Sequence, residues 1–311
     1  MPADRVTASK PFQVTVIDFD GPLYVKGKPP LKKCNIAMFT CATVRAVHLQ
    51  ICSDVTTDNF LLAFQSFIGR RGPSHTIYTD NAQTFHAANR ELAELLRDKK
   101  HAHIAQHGIT WKFIAPRAAW WGGWWDRMIG TTKRCLRKVL GRSQATDEEL
   151  ATTLVKIEAA LNSRPITQDA EDALTPAHFL CGAKLTTLPF TTEPQREGNL
   201  KKTHQRTKRM VDDFWRRWEK EYLMELRYFH VISQPKGRSG KVRTGDIVML
   251  QVDRRPRHMW KKARVEELKV GRDGATRTAV LRGANGTVLV YSIQLVFPLE
   301  VDKGGEDVDD P

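Results

Sequence analysis

The chain has 311 residues, room for about two domains of roughly 100–200 residues each. Hydrophobic residues are 41%, charged residues 27%, and there are only 20 Gly and 15 Pro, which excludes wholesale disorder and collagen-like sequence. The formal net charge is +14, which points to a polyanionic partner such as nucleic acid.

No uncharged apolar run approaches the roughly 18 residues of a membrane helix. The start, Met1-Pro2-Ala3-Asp4-Arg5, lacks a signal-peptide core. An intracellular protein with no membrane partner is therefore expected. Five cysteines with no CxxC pair argue against a disulfide framework or a zinc ribbon. His101, His103 and His107 cluster, but no cysteine stands at ligand spacing, and a solvated helix turn is the reading taken. The charge is uneven. Residues 196–243 hold 14 Lys/Arg against 6 Asp/Glu, and residues 302–311 hold five acids against one lysine.

In chain order, Phe12–Asp20 alternates as a strand, with Val14, Val16, Asp18 and Asp20 on one face, and Gly21-Pro22 is expected to end it. Cys34–Thr40 and Thr43–Ile51 read as a hairpin. Thr56–Gly69 reads as a helix with Thr57 able to cap, and with Phe60, Leu61, Phe64, Phe67 and Ile68 as its apolar stripe. A short strand His75–Thr79, a helix Asn89–His107 and a strand Gly108–Ile114 follow. Trp124–Leu140 and Asp147–Ser163 read as helices closed by Gly141 and Pro165. The order predicts an α/β domain with a mixed sheet covered by helices. Residues 166–195 are loop-rich. Leu200–Tyr228 is a long basic helix whose Trp215, Trp218, Tyr222 and Leu226 stripe is read as packing. Asp246–Val252, Trp260–Leu268, Thr276–Leu281 and Thr287–Tyr291 are short β runs split by glycine turns, the pattern of a small β-barrel.

Three carboxylates stand out. Asp18 lies in an otherwise apolar strand, which is costly unless a metal or partner satisfies it. Asp80 follows a strand at a Thr-Asp-Asn turn, where an Asx-turn is the plain alternative. Asp126 opens a helix after Gly122-Gly123, where a favourable helix-dipole charge is the plain alternative. Asp20 shares the Asp18 face and is a rival ligand. Oxygen donors of this kind suit hard cations, and two such ions can stabilise both oxygens of an in-line phosphoryl transfer.

The segments VIDFDGPLYVK (16–26), IYTDNAQTF (77–85), ANRELAELL (88–96), GITWKFIAPRAAWWGGWWDRMIGTTKRCLRKVLG (108–141), ALNSRPIT (160–167) and LTPAHFLCG (174–182) resemble the integrase core of BEL/Pao long-terminal-repeat retrotransposons. YLMELR (222–227), GDIVML (245–250), PRHMWKKARVEEL (256–268) and GRDG (271–274) resemble the small β-domain that follows that core.

The resemblance implies an RNase H-like mixed five-stranded sheet flanked by helices over residues 10–165. A linker (166–199), the basic helix (200–230), a small SH3-like β-barrel (240–300) and an acidic disordered tail (301–311) would follow. It also implies a polynucleotidyl transferase that trims DNA 3′ ends and joins them to target DNA. Two Mg²⁺ or Mn²⁺ ions would be held by Asp18, Asp80 and Asp126. The family has Glu at the third position. Asp126 is one methylene shorter, about 1.5 Å, although some related transposases use Asp there. No segment matches the zinc-binding His/Cys domain that precedes the core in complete integrases, so a fragment, a processed product and a domesticated copy all stay open.

Lys133 and Arg137 share a helix face with Asp126 and are expected to run outward along a bound DNA strand, beside Arg127, Arg134 and Lys138. The alternative is a solvated helix face. Asn81 and Gln83 are candidate polar contacts to substrate, or turn formers. Trp120, Trp121, Trp124 and Trp125 could stack on DNA ends or anchor packing. Arg254, Arg255, Arg257, Lys261, Lys262 and Arg264 give the β-domain its own basic surface.

The expected partners are element and target DNA and further copies of the chain, with no nucleotide cofactor. The expected location is the nucleus when the protein acts on chromosomal DNA. A catalytically silent, domesticated DNA-binding derivative is the alternative, because position 126 is Asp.

Overall fold

The computed structural model describes residues 9–26, 32–97, 108–114, 126–141, 145–167, 173–185, 199–232, 242–252, 260–271 and 276–299. It divides into two compact units. The first is Met1–Asn162 with Phe179–Gly182 and Leu188–Trp218, and the second is Ser163–His178 with Ala183–Thr187 and Glu219–Pro311.

The first unit is built on a five-stranded sheet of β1 (Val14–Val25), β2 (Lys32–Cys41), β3 (Val47–Cys52), β4 (Thr76–Thr79) and β5 (Thr110–Phe113). Their order across the sheet is β3-β2-β1-β4-β5. The first three strands are antiparallel, and β4 and β5 run parallel to β1. Helices α1 (Thr57–Arg71), α2 (Gln83–Arg97), α3 (Asp126–Leu140) and α4 (Asp147–Asn162) flank it. This is the RNase H-like α/β arrangement.

Alternation along β1 sorts the two faces. Ile17 joins Phe39, Phe60, Phe64, Phe67, Ile77 and Phe85 in one apolar core against α1 and α2. Phe39 and Phe67 stack at 4.2 Å, and Phe60 meets Phe85 edge-on at 5.1 Å. On the opposite face, Asp18 and Asp20 meet side chains of α3.

Several boundaries differ from the sequence reading. β1 does not stop at Gly21-Pro22 but continues to Val25 through a bulge between Asp20 and Leu23. A bulge takes Pro22, which has no N–H, out of the hydrogen-bond ladder. Gly21 is required there, with φ at +145° and the Asn35 side chain where a Cβ would sit. β3 begins at Val47, because Arg45 turns the chain with φ at +55°. Thr56, not Thr57, is the N-cap residue of α1. Asp54 organises that entry by accepting from the Thr56 amide and from Asn59.

Helix α2 starts at Gln83, six residues earlier than expected, and buries Phe85 and Ala88. The loop-rich stretch contains a short helix, α5 (Pro176–Cys181). His101, His103, His107, Trp120, Trp121, Trp124, Trp125, Arg254, Arg255, Arg257 and the acidic tail lie outside the described residues.

Helix α6 (Asn199–Ile232) is amphipathic. Up to Trp218 it belongs to the first unit, where Phe214, Trp215 and Trp218 are buried. The Trp218 indole donates to Thr132 of α3 at 3.2 Å. From Glu219 it belongs to the second unit, with Tyr222, Leu223 and Leu226 buried.

That unit carries β6 (Ile247–Leu250), β7 (Lys261–Val270), β8 (Thr276–Gly283), β9 (Val288–Ser292) and β10 (Val296–Pro298). They form an antiparallel sheet of order β10-β6-β7-β8-β9 around Val248, Ala263, Val265, Ala279 and Leu281. Three-residue β10 is too short to leave a periodic signal and was not foreseen. The described cysteines Cys34, Cys41, Cys52 and Cys135 are buried thiols and Cys181 is an exposed one, none of them in a disulfide. Burial pushes the Cys34 and Cys52 thiols up to about 11, so they pack as apolar groups. No described helix is long and apolar enough to cross a membrane.

Candidate active site

The site starts with two carboxylates two residues apart on β1. Asp18 Oδ1 accepts the Phe19 amide at 2.7 Å, and Oδ2 receives the ammonium of Lys133. The Asp18 side chain is 30% exposed and that of Lys133 is 17% exposed. Asp20 is sealed, with a side chain 0% exposed. Its Oδ1 receives Arg137 Nε at 2.5 Å, while Oδ2 is buried with no hydrogen-bond partner. Burial pushes the Asp20 carboxyl above the usual range, and the Arg137 and Lys133 charges only partly offset this.

The third carboxylate comes from the neighbouring parallel strand. β1 and β4 pair with Val16 opposite Tyr78. Asp18 and Asp80 each lie two residues beyond that pair, so they stand at one level, Asp18 within β1 and Asp80 just past the end of β4. Adjacent strands are about 4.8 Å apart. Asp80 is exposed, and its Oδ1 accepts the Ala82 amide at 3.0 Å. This is the Asx-turn that the Thr-Asp-Asn sequence suggested, and it engages one oxygen only. Asn81 donates to the Ile114 carbonyl, bracing the turn against the end of β5. Gln83 is exposed at the first turn of α2.

Helix α3 supplies the facing groups and begins at Asp126. The side chains of Asp126 and Arg127 are outside the described residues. Helical period puts position 126 on the face that carries Lys133 and Arg137, about 10.5 Å along the axis from Lys133. Lys133 and Arg137 were expected to point outward along DNA. They instead meet Asp18 and Asp20, although the Arg137 side chain stays 58% exposed.

A spacing match explains this and was available in the sequence. Four residues of helix rise about 6 Å, and two residues of strand rise about 6.6 Å. A helix lying along β1 therefore brings a basic residue onto each carboxylate. Arg134 is exposed and donates to Thr131 at 2.9 Å, and Lys138 is exposed. In the second unit, Lys261 lies 5.5 Å over the Tyr291 ring, and Arg264 is exposed.

Among the described residues, no group of three or more His, Cys, Asp or Glu side chains is assembled for a metal. The donors present are nonetheless of the right chemistry. Asp18 and Asp80 offer hard carboxylate oxygens at one level. Asp18 already accepts a cation, the Lys133 ammonium, on Oδ2, so by the chemistry of their donors these residues fit a divalent ion.

Residues 202–298 match a protein family described as a family of unknown function (DUF5641). No curated protein matches the chain. Among solved structures, the chain is similar to the magnesium-bound integrase catalytic core domain of HTLV-2 in its trimeric form, at 19% identity and a TM-score of 0.38. That match covers 55% of this chain and 97% of the other. The dimeric form of the same domain matches with the same coverage at a TM-score of 0.37. A simian T-cell lymphotropic virus intasome in complex with the PP2A regulatory subunit B56 gamma matches at 12% identity and a TM-score of 0.36. There the match covers 93% of this chain and 82% of the other.

Proposed function

We propose that this protein is an integrase-type polynucleotidyl transferase that trims DNA 3′ ends and joins them to target DNA, with Asp18, Asp80 and Asp126 as its acidic residues. The observation that carries the reading is the shared level of Asp18 within β1 and Asp80 just past β4, on parallel neighbouring strands of a sheet whose β1 face meets α3. The sequence resemblance to BEL/Pao integrases points the same way.

Magnesium or manganese, as two ions, supplies when bound the positive charge that in-line phosphoryl transfer needs. Asp18 on β1 and Asp80 after β4 would hold that charge, with Asp126 as the third acidic residue of the reading. Asp20 fixes Arg137 by Nε, leaving the rest of an exposed guanidinium for a DNA phosphate. Arg127, Arg134, Lys138, Asn81 and Gln83 are the further candidate DNA contacts of this reading, and Lys261, Lys262 and Arg264 add basic charge in the second unit. Concerted joining of two DNA ends requires at least two copies of the chain, and chromosomal target DNA places the activity in the nucleus.

A second reading is a silent DNA-binding derivative, favoured by Asp126 and by the lysine seated on Asp18. Strand transfer by the natural protein, Asp126→Glu and Asp80→Ala, with Mg²⁺ and with Mn²⁺, separates them. Joining by the natural protein and its loss in Asp80→Ala support the enzyme. Joining by Asp126→Glu alone supports the derivative, and full activity in Asp80→Ala removes the assigned site.

A further inference from the structure

Asp20 has one carboxylate oxygen, Oδ2, that the proposed chemistry does not use. Its Oδ2 is a buried carboxylate oxygen without a partner, and such atoms are rare because the desolvation penalty is uncompensated. It sits two residues along β1 from Asp18, about 6.6 Å. The Lys133 ammonium lies on Asp18 and close enough to Asp20 to act on it electrostatically. Lysine carries a point charge on a flexible four-carbon stem, so the distance between the two carboxylates is within one side chain's swing. Arg137 is bonded to Oδ1 through Nε and leaves Oδ2 without a partner.

We propose that Lys133 is a two-position latch: it holds Asp18 in the cation-free protein and moves to the open Oδ2 of Asp20 when a divalent ion takes Asp18. The inference rests on the reading of Asp18 as a cation ligand. Asp20 is then a positioning residue, whose empty oxygen is the berth that receives the displaced ammonium. One ammonium serves two carboxylates in turn, so neither arrangement leaves Asp18 uncompensated. The berth thereby sets the ion affinity of the site. Without it, the incoming ion must displace an ammonium that has nowhere to go but water.

The test is Mn²⁺ binding to the full-length protein, followed by the electron paramagnetic resonance signal of free Mn²⁺, in a double-mutant cycle. Lys133→Gln is expected to bind Mn²⁺ on the order of tenfold tighter than the natural protein. Asp20→Asn is expected to weaken binding when Lys133 is present and to leave it unchanged in the Lys133→Gln background. Equal weakening in both backgrounds means that Asp20 acts only through its charge, and it overturns the latch. Unchanged affinity in Lys133→Gln overturns it as well.

Asp18→Asn separates the two levels. If it leaves Mn²⁺ affinity intact, the active-site reading itself is wrong. If it abolishes binding while the cycle is additive, only the latch fails. Should Asp20→Asn not fold, ¹³C-dimethyl-lysine resonances decide the question, with Lys133 assigned through Lys133→Gln. Mg²⁺ must shift that resonance in the natural protein, and an unmoved resonance overturns the proposal.

Discussion

Asp20 and Arg137 form an ion pair whose two ends stand in different media: the carboxylate has 0% exposure and the guanidinium 58%. Removing the arginine strands a buried charge, whereas the arginine itself loses little. Arg137→Met is therefore expected to lower stability by about 1–2 kcal/mol, after allowing for screening at the exposed end. Urea unfolding measures it. The same variant should reduce the salt slope of DNA binding by about 1, as loss of one phosphate contact does. A stability loss with an unchanged slope would restrict Arg137 to its structural part.

Glu158 of α4 gathers three neighbours. It accepts the Leu49 amide at 2.9 Å and an Arg71 guanidinium N–H, and His48 Nδ1 stands 3.2 Å from its Oε2. Burial pushes its carboxyl up, but His48, Leu49 and Arg71 outweigh this and leave it below the usual 4.5. A depressed carboxylate stabilises the fold above its unfolded pKa, and that contribution is lost as pH falls through the folded value. Stability of the natural protein should therefore drop on acidification below about pH 4.5. Glu158→Gln should flatten that limb, as urea midpoints across pH will report.

Asn162 ends α4 by completing the edge of β3. Its Oδ1 accepts the Val47 amide and its Nδ2 donates to the Val47 carbonyl, both at 2.8 Å and both buried. Asn162→Ala leaves two buried backbone groups unpaired, and a loss of about 2–4 kcal/mol is expected. Asn162→Asp keeps the acceptor and loses the donor, so it should not restore the midpoint. Thermal unfolding of the three proteins checks this, and a wild-type midpoint for Asn162→Ala contradicts it.

In the second unit, Arg227 of α6 donates to the carbonyls of Ile293, Gln294 and Val296 at 3.4, 2.6 and 3.3 Å, and lies 4.4 Å over the Phe297 ring. All three contacts come from Nη2, so a lysine ammonium can supply the donors but not the planar guanidinium that lies over the ring. Arg227→Ala is therefore expected to lose about 1–2 kcal/mol, and Arg227→Lys only the part that comes from stacking on Phe297. Hydrogen exchange at β10 amides will report it. Protection equal to that of the natural protein in Arg227→Lys would show that charge alone suffices.

Much of this architecture was legible before any coordinates. Alternation marked β1, and the Phe60, Phe64 and Phe67 spacing marked the buried face of α1. The Trp215, Trp218, Tyr222 and Leu226 stripe marked the packing side of α6. These signals are local, because strand and helix periods follow from backbone geometry over a few residues. The charge excess and the three aspartates were equally open to reading. The start of α2, the continuation of β1 through Gly21-Pro22 and the three-residue β10 were not. Each depends on a partner distant in the chain: Phe85 packing against Phe60, β2 accommodating a bulge, and β6 pairing with Val296–Pro298.

The sequence by itself determined which residues carry charge and which alternate into a core, since those follow from side-chain chemistry and short-range period. Only the tertiary structure decided what the charges face. Lys133 and Arg137 turned inward to Asp18 and Asp20 because α3 lies along β1, and a helix's four-residue rise nearly equals a strand's two-residue rise. That pairing, and the one carboxylate oxygen it leaves open, arises from the docking of two elements more than a hundred residues apart in the chain.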